Sequence, residues 1–176
     1  MKLSLIASLA CAVLALPAVA ADVTYRKDVA PILQKHCAEC HSAKAGSPSM
    51  AEFNLDQEKY KKEKVGPLSD TYEHLLQLVN GQSTGALMRR LDDGTSAYSG
   101  GKPGNMYKYL CELESKDNKE SKDTKENKDN NAVCAANLLV IKAWVGEGGW
   151  NLNRMSARGE VPALTKEQID KVKVKY

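Results

Sequence analysis

The sequence predicts an all-α fold. Three segments carry apolar residues at helical spacing and end near residues that stop helices, namely 28–36, 70–80 and 135–150. In the first, Asp28 is a candidate N-cap, and Pro31 falls in the first turn, where proline is tolerated. Gly81 ends the second segment, and glycines between positions 146 and 149 end the third.

Two shorter helices complete the predicted set. One is predicted at residues 86–91, inside a region, 42–104, that is rich in Gly, Ser and Pro. A last helix is predicted after Thr165, because Thr165 and Gln168 have the spacing of a capping box. The segment 135–150 is the most apolar after the leader, and we expect it to pack against the first helix.

The first 20 residues have the parts of a secretory signal peptide. Lys2 is followed by an uncharged apolar run, residues 3–16, and by Ala18-Val19-Ala20. The run is shorter than the roughly 20 residues that a membrane-spanning helix needs. We therefore expect residues 1–20 to be removed and the mature protein to be periplasmic or secreted, with no stable membrane insertion. The 25 basic and 22 acidic residues nearly balance, which argues against nucleic-acid binding.

The segment 115–131 is low in complexity. SKDNKE, SKDTKE and NKDN repeat with a period of six, and their charges cancel. A stretch without apolar side chains cannot offset the entropy cost of ordering, so we predict a mobile surface loop. A solvated helical extension is the alternative, since Lys and Glu favour helix.

The stretch HCAECH carries the chemistry. Cys37, Cys40 and His41 form C-x-x-C-H, the spacing of c-type haem attachment. The two thiols would add to the two vinyl groups on one edge of a porphyrin, and the histidine would then reach the iron. A thioredoxin-like pair would need a preceding strand, a zinc site would need a second ligand pair nearby, and a disulfide would make no use of the histidine. The secretory leader also favours haem.

The chain resembles the single-haem class I type of cytochrome c, most closely the planctomycete-type bacterial cytochrome c domain. The residues that carry the resemblance are Tyr25–Leu33, Cys37–His41, Phe53–Asp56, Ala86–Leu91 and Ala143–Gly148. The resemblance implies a cytochrome c-like helical fold around one covalently attached haem c. It implies a cytochrome domain at 22–157, with 115–131 as an inserted loop, and a C-terminal tail with a short helix at 158–176.

A sixth iron ligand is expected among the methionines and histidines. Met106 lies in a Gly/Pro-rich loop ahead of the last core helix, where the resembled family places its ligand methionine. His41 and Met106 are therefore the predicted metal ligands. Met88 on an apolar helical face and His74 are the main alternatives, since a helical methionine is more often core filler. The weaker candidates are His36, Met50 and Met155.

Other side chains have looser assignments. His41 should donate its second ring N–H to a backbone carbonyl, and Pro48 lies in a segment that could supply it. Trp144 would pack on the haem edge or between helices. Cys111 and Cys134 flank the repeat segment, and in an oxidising compartment we expect them to form a disulfide.

The predicted function is the transfer of single electrons between a redox donor and a redox acceptor, without enzymatic activity. The protein is expected to be a monomer, and the lysines of EKYKKEK (58–64) could steer it to an acidic partner. The alternative is a haem enzyme or gas-binding sensor with an open sixth iron position. One attachment motif argues against a di-haem peroxidase.

Overall fold

The computed structural model describes residues 22–96, 99–111, 125–152 and 164–176, without the side chains of 125–130. The predicted signal peptide, Met155 and the boundary at 157/158 lie outside these residues. The helices of the described part are α1 Ala30–His36, α2 Ala38–His41, α3 Met50–Leu55, α4 Gln57–Glu63, α5 Tyr72–Val79, α6 Ala86–Leu91, α7 Lys125–Val145, α8 Glu147–Trp150 and α9 Lys166–Ile169. A π-helical turn (Tyr25–Val29) and two 3-10 turns (Ala43–Ala45 and Tyr107–Leu110) join them.

The predicted all-α class is confirmed, because the described residues contain helices and turns and no strand. The α-helices at 72–79, 86–91 and 166–169 lie where the sequence predicts them. The capping box of Thr165 and Gln168 is present in both directions. Within the described part of the chain, no helix combines the length and apolarity needed to cross a bilayer.

The first helix begins earlier than predicted. The π-helical turn precedes α1, and its cap is Thr24, whose hydroxyl accepts the Lys27 N–H at 3.3 Å. The predicted N-cap at Asp28 is therefore wrong. Its carboxylate instead accepts the Thr24 N–H at 2.8 Å, because the π-helical turn brings Asp28 close to Thr24. Pro31 lies in the first turn of α1, as predicted.

One apolar core joins the N-terminal helices to α5, α6 and α7. Val29, Leu75, Met88 and Trp144 are all at most 1 % exposed. The helix that contains Trp144 contacts both the N-terminal π-helical turn and the 3-10 turn Tyr107–Leu110. The predicted packing of the most apolar helix on the N-terminal one is thus present.

The region 42–104 holds two helices that the sequence analysis missed, α3 and α4. The first has a capping box: the Ser49 hydroxyl accepts the Glu52 N–H, and the Glu52 carboxylate accepts the Ser49 N–H. The second is capped by Asp56, whose carboxylate accepts the Lys59 N–H at 3.0 Å. The Ser49/Glu52 spacing was a readable signal, but Gly and Pro on both sides masked it.

The predicted loop at 115–131 is wrong in its last part, because α7 begins at Lys125. Its residues 115–124 lie outside the described part. A helix nucleated by the buried half of α7 extends into this polar sequence at little cost, because nucleation is the expensive step.

The C-terminal segment folds back on the core. Val172 and Val174 pack against the buried cluster. The Lys175 carbonyl accepts both the Tyr25 N–H at 2.7 Å and the Trp144 indole N–H at 2.9 Å. The Tyr176 ring stacks on Tyr25 with 6.1 Å between centroids. The end of the predicted tail therefore packs between the N-terminal π-helical turn and α7. Trp144 packs between these segments as a core residue.

Candidate haem-binding site

One helical turn gathers the C-x-x-C-H residues. Cys37 is the N-cap of α2, and its carbonyl accepts the N–H of Cys40 at 3.1 Å and of His41 at 2.9 Å. Residues three and four positions apart lie on the same side of a helix, so the turn faces Cys37, Cys40 and His41 one way. Both cysteines carry free thiols.

The His41 imidazole is held by a backbone carbonyl. Its Nδ1 lies 2.9 Å from the carbonyl oxygen of Pro67. A carbonyl oxygen only accepts hydrogen bonds, so Nδ1 carries the proton and Nε2 keeps its lone pair free. This is the tautomer that an axial iron ligand requires. The sequence analysis suggested that the segment of Pro48 supplies this carbonyl, and that suggestion is wrong. The Pro48 carbonyl oxygen instead accepts the Leu68 N–H at 2.9 Å.

Gly66 lets the chain lie against the imidazole. A Cβ at this position would come 2.1 Å from Cε1 and 2.7 Å from Nδ1 of His41. The next turn is tied to the same residue, because the Ser69 N–H donates to the His41 carbonyl at 3.0 Å. The sequence analysis missed Gly66 and Pro67. The signal was the Gly66-Pro67 pair itself, but nothing local assigns it to a histidine 26 residues before Pro67 in the chain.

A small cavity lies beside the attachment turn, Cys37–His41. It is lined by Leu33, Gln34, Cys37, Ala38, His41, Ser69 and Asp70. Burial, together with the neighbouring Cys40, raises the pKa of the Cys37 thiol to about 11, so the group is neutral at physiological pH. An uncharged thioether suits the same environment. The two thiols, the free Nε2 and the flat approach of Gly66 fit covalently bound haem.

Asp70, just before α5, braces the 3-10 turn Ala43–Ala45 that follows His41. Its carboxylate accepts the Ala43 N–H at 3.0 Å, and its other oxygen lies 2.8 Å from Nδ1 of His74. Burial alone would raise the pKa of Asp70, but these hydrogen bonds outweigh it and the pKa is lowered. His74, on the surface of α5, is thus paired with the Asp70 carboxylate. This pairing argues against iron ligation by His74.

The remaining alternative ligands also have structural roles. Met88 is fully buried in the core. Met50 is buried, and its sulfur accepts the Ser83 hydroxyl at 3.1 Å. Nε2 of His36 lies 3.3 Å from the Asn137 amide nitrogen, and that amide also donates to the Leu110 carbonyl at 2.6 Å. Asn137 therefore links the end of α1 to the segment that follows Met106.

Met106 belongs to a different part of the fold. It is partly buried against the core, just before the 3-10 turn Tyr107–Leu110, and its N–H donates to the Arg90 carbonyl at 3.0 Å. Among the described residues, those lining the cavity beside His41 do not include Met106. Ligation of iron by Met106 therefore stays a prediction.

The predicted disulfide between Cys111 and Cys134 is present, with 4.3 Å between the two Cα atoms. It joins the end of the Tyr107–Leu110 turn to α7 across 23 residues of sequence. The Met106 segment is thereby tied covalently to the longest helix.

The chain is similar to known cytochromes c. The family model of PccH cytochrome c matches residues 24–127 and 114–176. The solved structure of the monohaem cytochrome PccH from Geobacter sulfurreducens is 39% identical, with a TM-score of 0.62. The match covers 88% of this chain and 99% of that one. No curated protein matches the sequence significantly.

The family match covers nearly all of the described chain, and the structural match covers most of the sequence. Both agree with a helical fold that carries one covalently attached haem c, as the C-x-x-C-H turn predicts. Electron transfer is the activity that a monohaem cytochrome c supports. The chain belongs to the PccH cytochrome c family.

Proposed function

We propose that this protein is an exported electron carrier whose haem is attached at Cys37 and Cys40. His41 is the proximal iron ligand and Met106 the sixth ligand. The observation that carries the proposal is the His41 imidazole, which is oriented by the Pro67 carbonyl and keeps Nε2 free on the turn that holds both thiols. The bound haem supplies an iron that gains and loses single electrons.

The surrounding residues hold the proximal ligand in place when the iron changes its oxidation state. The Pro67 carbonyl fixes the ring tautomer, Gly66 limits ring rotation by its close approach, and Ser69 holds the His41 backbone. A ligand held in this way needs little reorganisation when the iron changes charge. That is the property required of a carrier.

Met106 suits the distal side because its thioether is neutral and its segment is anchored. Thioether ligation raises the reduction potential, and it closes the sixth position to small molecules. The partners are expected to be a redox donor and a redox acceptor on the periplasmic or extracellular side. The lysine-rich face of α4, which includes Lys59 and Lys62, would favour an acidic partner.

The deciding experiment is Met106→Ala in protein matured with haem. Ferric methionine-ligated haem shows a weak sulfur-to-iron charge-transfer band, and we expect the substitution to remove it. The reduced variant should then bind carbon monoxide readily. Met88→Leu is the matched control, because it removes another sulfur at a cost of about 1 kcal/mol, and it should keep the wild-type spectrum.

An unchanged spectrum in Met106→Ala would contradict the ligand assignment. Ready carbon monoxide binding by the reduced wild-type protein would contradict the carrier itself. It would favour the alternative of a sensor or enzyme with an open sixth position.

A further inference from the structure

The loop that carries Met106 uses the end of α6 as its anchor. The last carbonyl groups of a helix have no partner within the helix and must find one elsewhere. Here the Arg90 carbonyl accepts the Met106 N–H at 3.0 Å, and the Asp92 carbonyl accepts the Gly104 N–H at 2.7 Å. The loop is therefore the C-terminal cap of α6, and the position of Met106 depends on that docking.

Gly104 makes the docking possible. A Cβ on Gly104 would lie 2.3 Å from the Arg90 carbonyl oxygen and 2.5 Å from that of Arg89. These neighbours are backbone atoms at the end of a helix, so they cannot rotate away as a flexible side chain would. Any other residue at position 104 has to lift the loop off α6.

Further contacts hold both sides of this joint. The Arg90 guanidinium donates to the Asn105 side-chain oxygen at 2.9 Å, directly beside Met106. On the helix side, the carboxylate of the buried Asp92 accepts the Gly94 N–H at 2.7 Å. Asp93 pairs with Lys142 of α7 at 3.2 Å. The end of α6 is thus held independently of the docked loop, through the ion pair of Asp93 with α7.

We propose that the end of α6, residues 89–92, is the clamp that sets Met106 at the iron, with Gly104 as its positioning residue. The inference rests on the proposed ligation by Met106 and extends it to residues that do not touch the haem. The clamp determines how often the methionine leaves the iron, and hence how readily an outside ligand enters.

The main test is Gly104→Ala in haem-loaded protein. We expect loss of the sulfur-to-iron charge-transfer band, a lowered reduction potential and carbon monoxide binding by the reduced form. These three readouts report the iron's ligand and not the general stability of the fold.

Two alanine variants separate positioning from stability. Gly101→Ala changes a glycine of the same loop that has φ +76° and no neighbour within 4 Å, so it strains the backbone without lifting the loop. Gly81→Ala places a Cβ 2.8 Å from the Gln77 Cα, away from the loop. Both should lose stability and keep the band. Loss of the band in either control to the same extent as in Gly104→Ala would overturn the clamp.

Arg90→Ala is the milder variant, and it tests the clamp if Gly104→Ala does not yield haem-loaded protein. It removes the bond to Asn105 and leaves the backbone docking intact. Imidazole is the probe, because it competes with the methionine for ferric iron. A lost hydrogen bond to a charged group at this exposed position corresponds to a rise in imidazole affinity of about fivefold. Arg90→Lys, which keeps the charge, should recover part of this.

The outcomes distinguish the two proposals. If Met106→Ala loses the band while Gly104→Ala and Arg90→Ala both behave as wild type, the clamp is refuted and the ligand assignment stands. If Met106→Ala keeps the band, the ligand assignment fails and the clamp fails with it.

Discussion

The two sides of the haem site are held in different ways. On the proximal side, Cys37, Cys40 and His41 share one helical turn, and a second short stretch, Gly66–Pro67, orients the ring. On the proposed distal side, Met106 stands in an irregular loop that is docked on a helix end and tied to α7 by a disulfide. The first arrangement is mostly local in sequence, while the second is built almost entirely from long-range contacts.

This difference predicts which side yields first. A ligand next to its own attachment cysteines stays close to the iron even when surrounding packing loosens, because the thioether bonds are covalent. A ligand held by backbone docking leaves when the docking fails. Loss of the distal ligand should therefore precede global unfolding, and each of the following changes acts on one side of the comparison.

Gly66→Ala should have the largest effect, on the proximal side. The added methyl group would lie 2.1 Å from the His41 ring, which must turn and lose the Pro67 carbonyl. Overpacking together with a lost hydrogen bond amounts to about 4 kcal/mol. We expect the yield of haem-loaded protein, measured by visible absorbance per polypeptide, to fall severalfold.

Gly46→Ala is the control for this variant, because it lies five residues after His41 with no neighbour within 4 Å. It should load haem much as the wild type does. Normal loading and an unaltered spectrum in Gly66→Ala would show that the ring does not depend on this contact.

The double variant Cys111→Ser/Cys134→Ser should have an intermediate effect, on the distal side. Opening a cross-link of this length costs about 3 kcal/mol in the chain-entropy account. In a denaturant titration, the sulfur-to-iron band should disappear well before the helical circular dichroism does. Wild-type protein that is reduced with a dithiol, alkylated at the freed thiols and then reoxidised at the iron should behave as the variant does. Coincident loss of both signals would mean that the two sides unfold as one unit.

Asp70→Asn should have the smallest effect, a loss of stability at neutral pH that shrinks in acid. Although burial opposes it, the hydrogen bonds from Ala43 and His74 lower the pKa of Asp70 in the folded protein. A lowered carboxylate pKa stabilises the fold above the unfolded pKa of about 3.9, and that stability is lost as the pH falls through the folded value. The variant should therefore lose less stability than the wild type as the pH falls from about 5 to about 2.

Glu63→Gln, at an exposed position of α4, is the matched charge removal for this measurement. Thermal unfolding midpoints across the acid range provide the readout. Parallel curves for Asp70→Asn and the wild type would show that the bonds of Asp70 to Ala43 and His74 do not stabilise the fold.

Much of the fold could be predicted because its signals are local. The helices at 72–79 and 86–91 follow from apolar spacing, and the box of Thr165 and Gln168 marks the last one. The errors came where context overrides local preference. Asp28 has the chemistry of a cap, but the π-helical turn moves the cap to Thr24. The polar repeat has no reason to be helical alone, but the buried half of α7 extends the helix into it.

By itself, the sequence determined the proximal chemistry: the C-x-x-C-H spacing places two thiols and an imidazole on one turn, whatever surrounds them. It also determined the all-α class and the cysteines available for the disulfide. Only the tertiary structure decided which carbonyl orients His41, why Gly66 and Gly104 must be glycines, and what the Met106 loop docks on. These are contacts between segments distant in the chain, and neither periodicity nor spacing encodes which distant backbone a turn will meet.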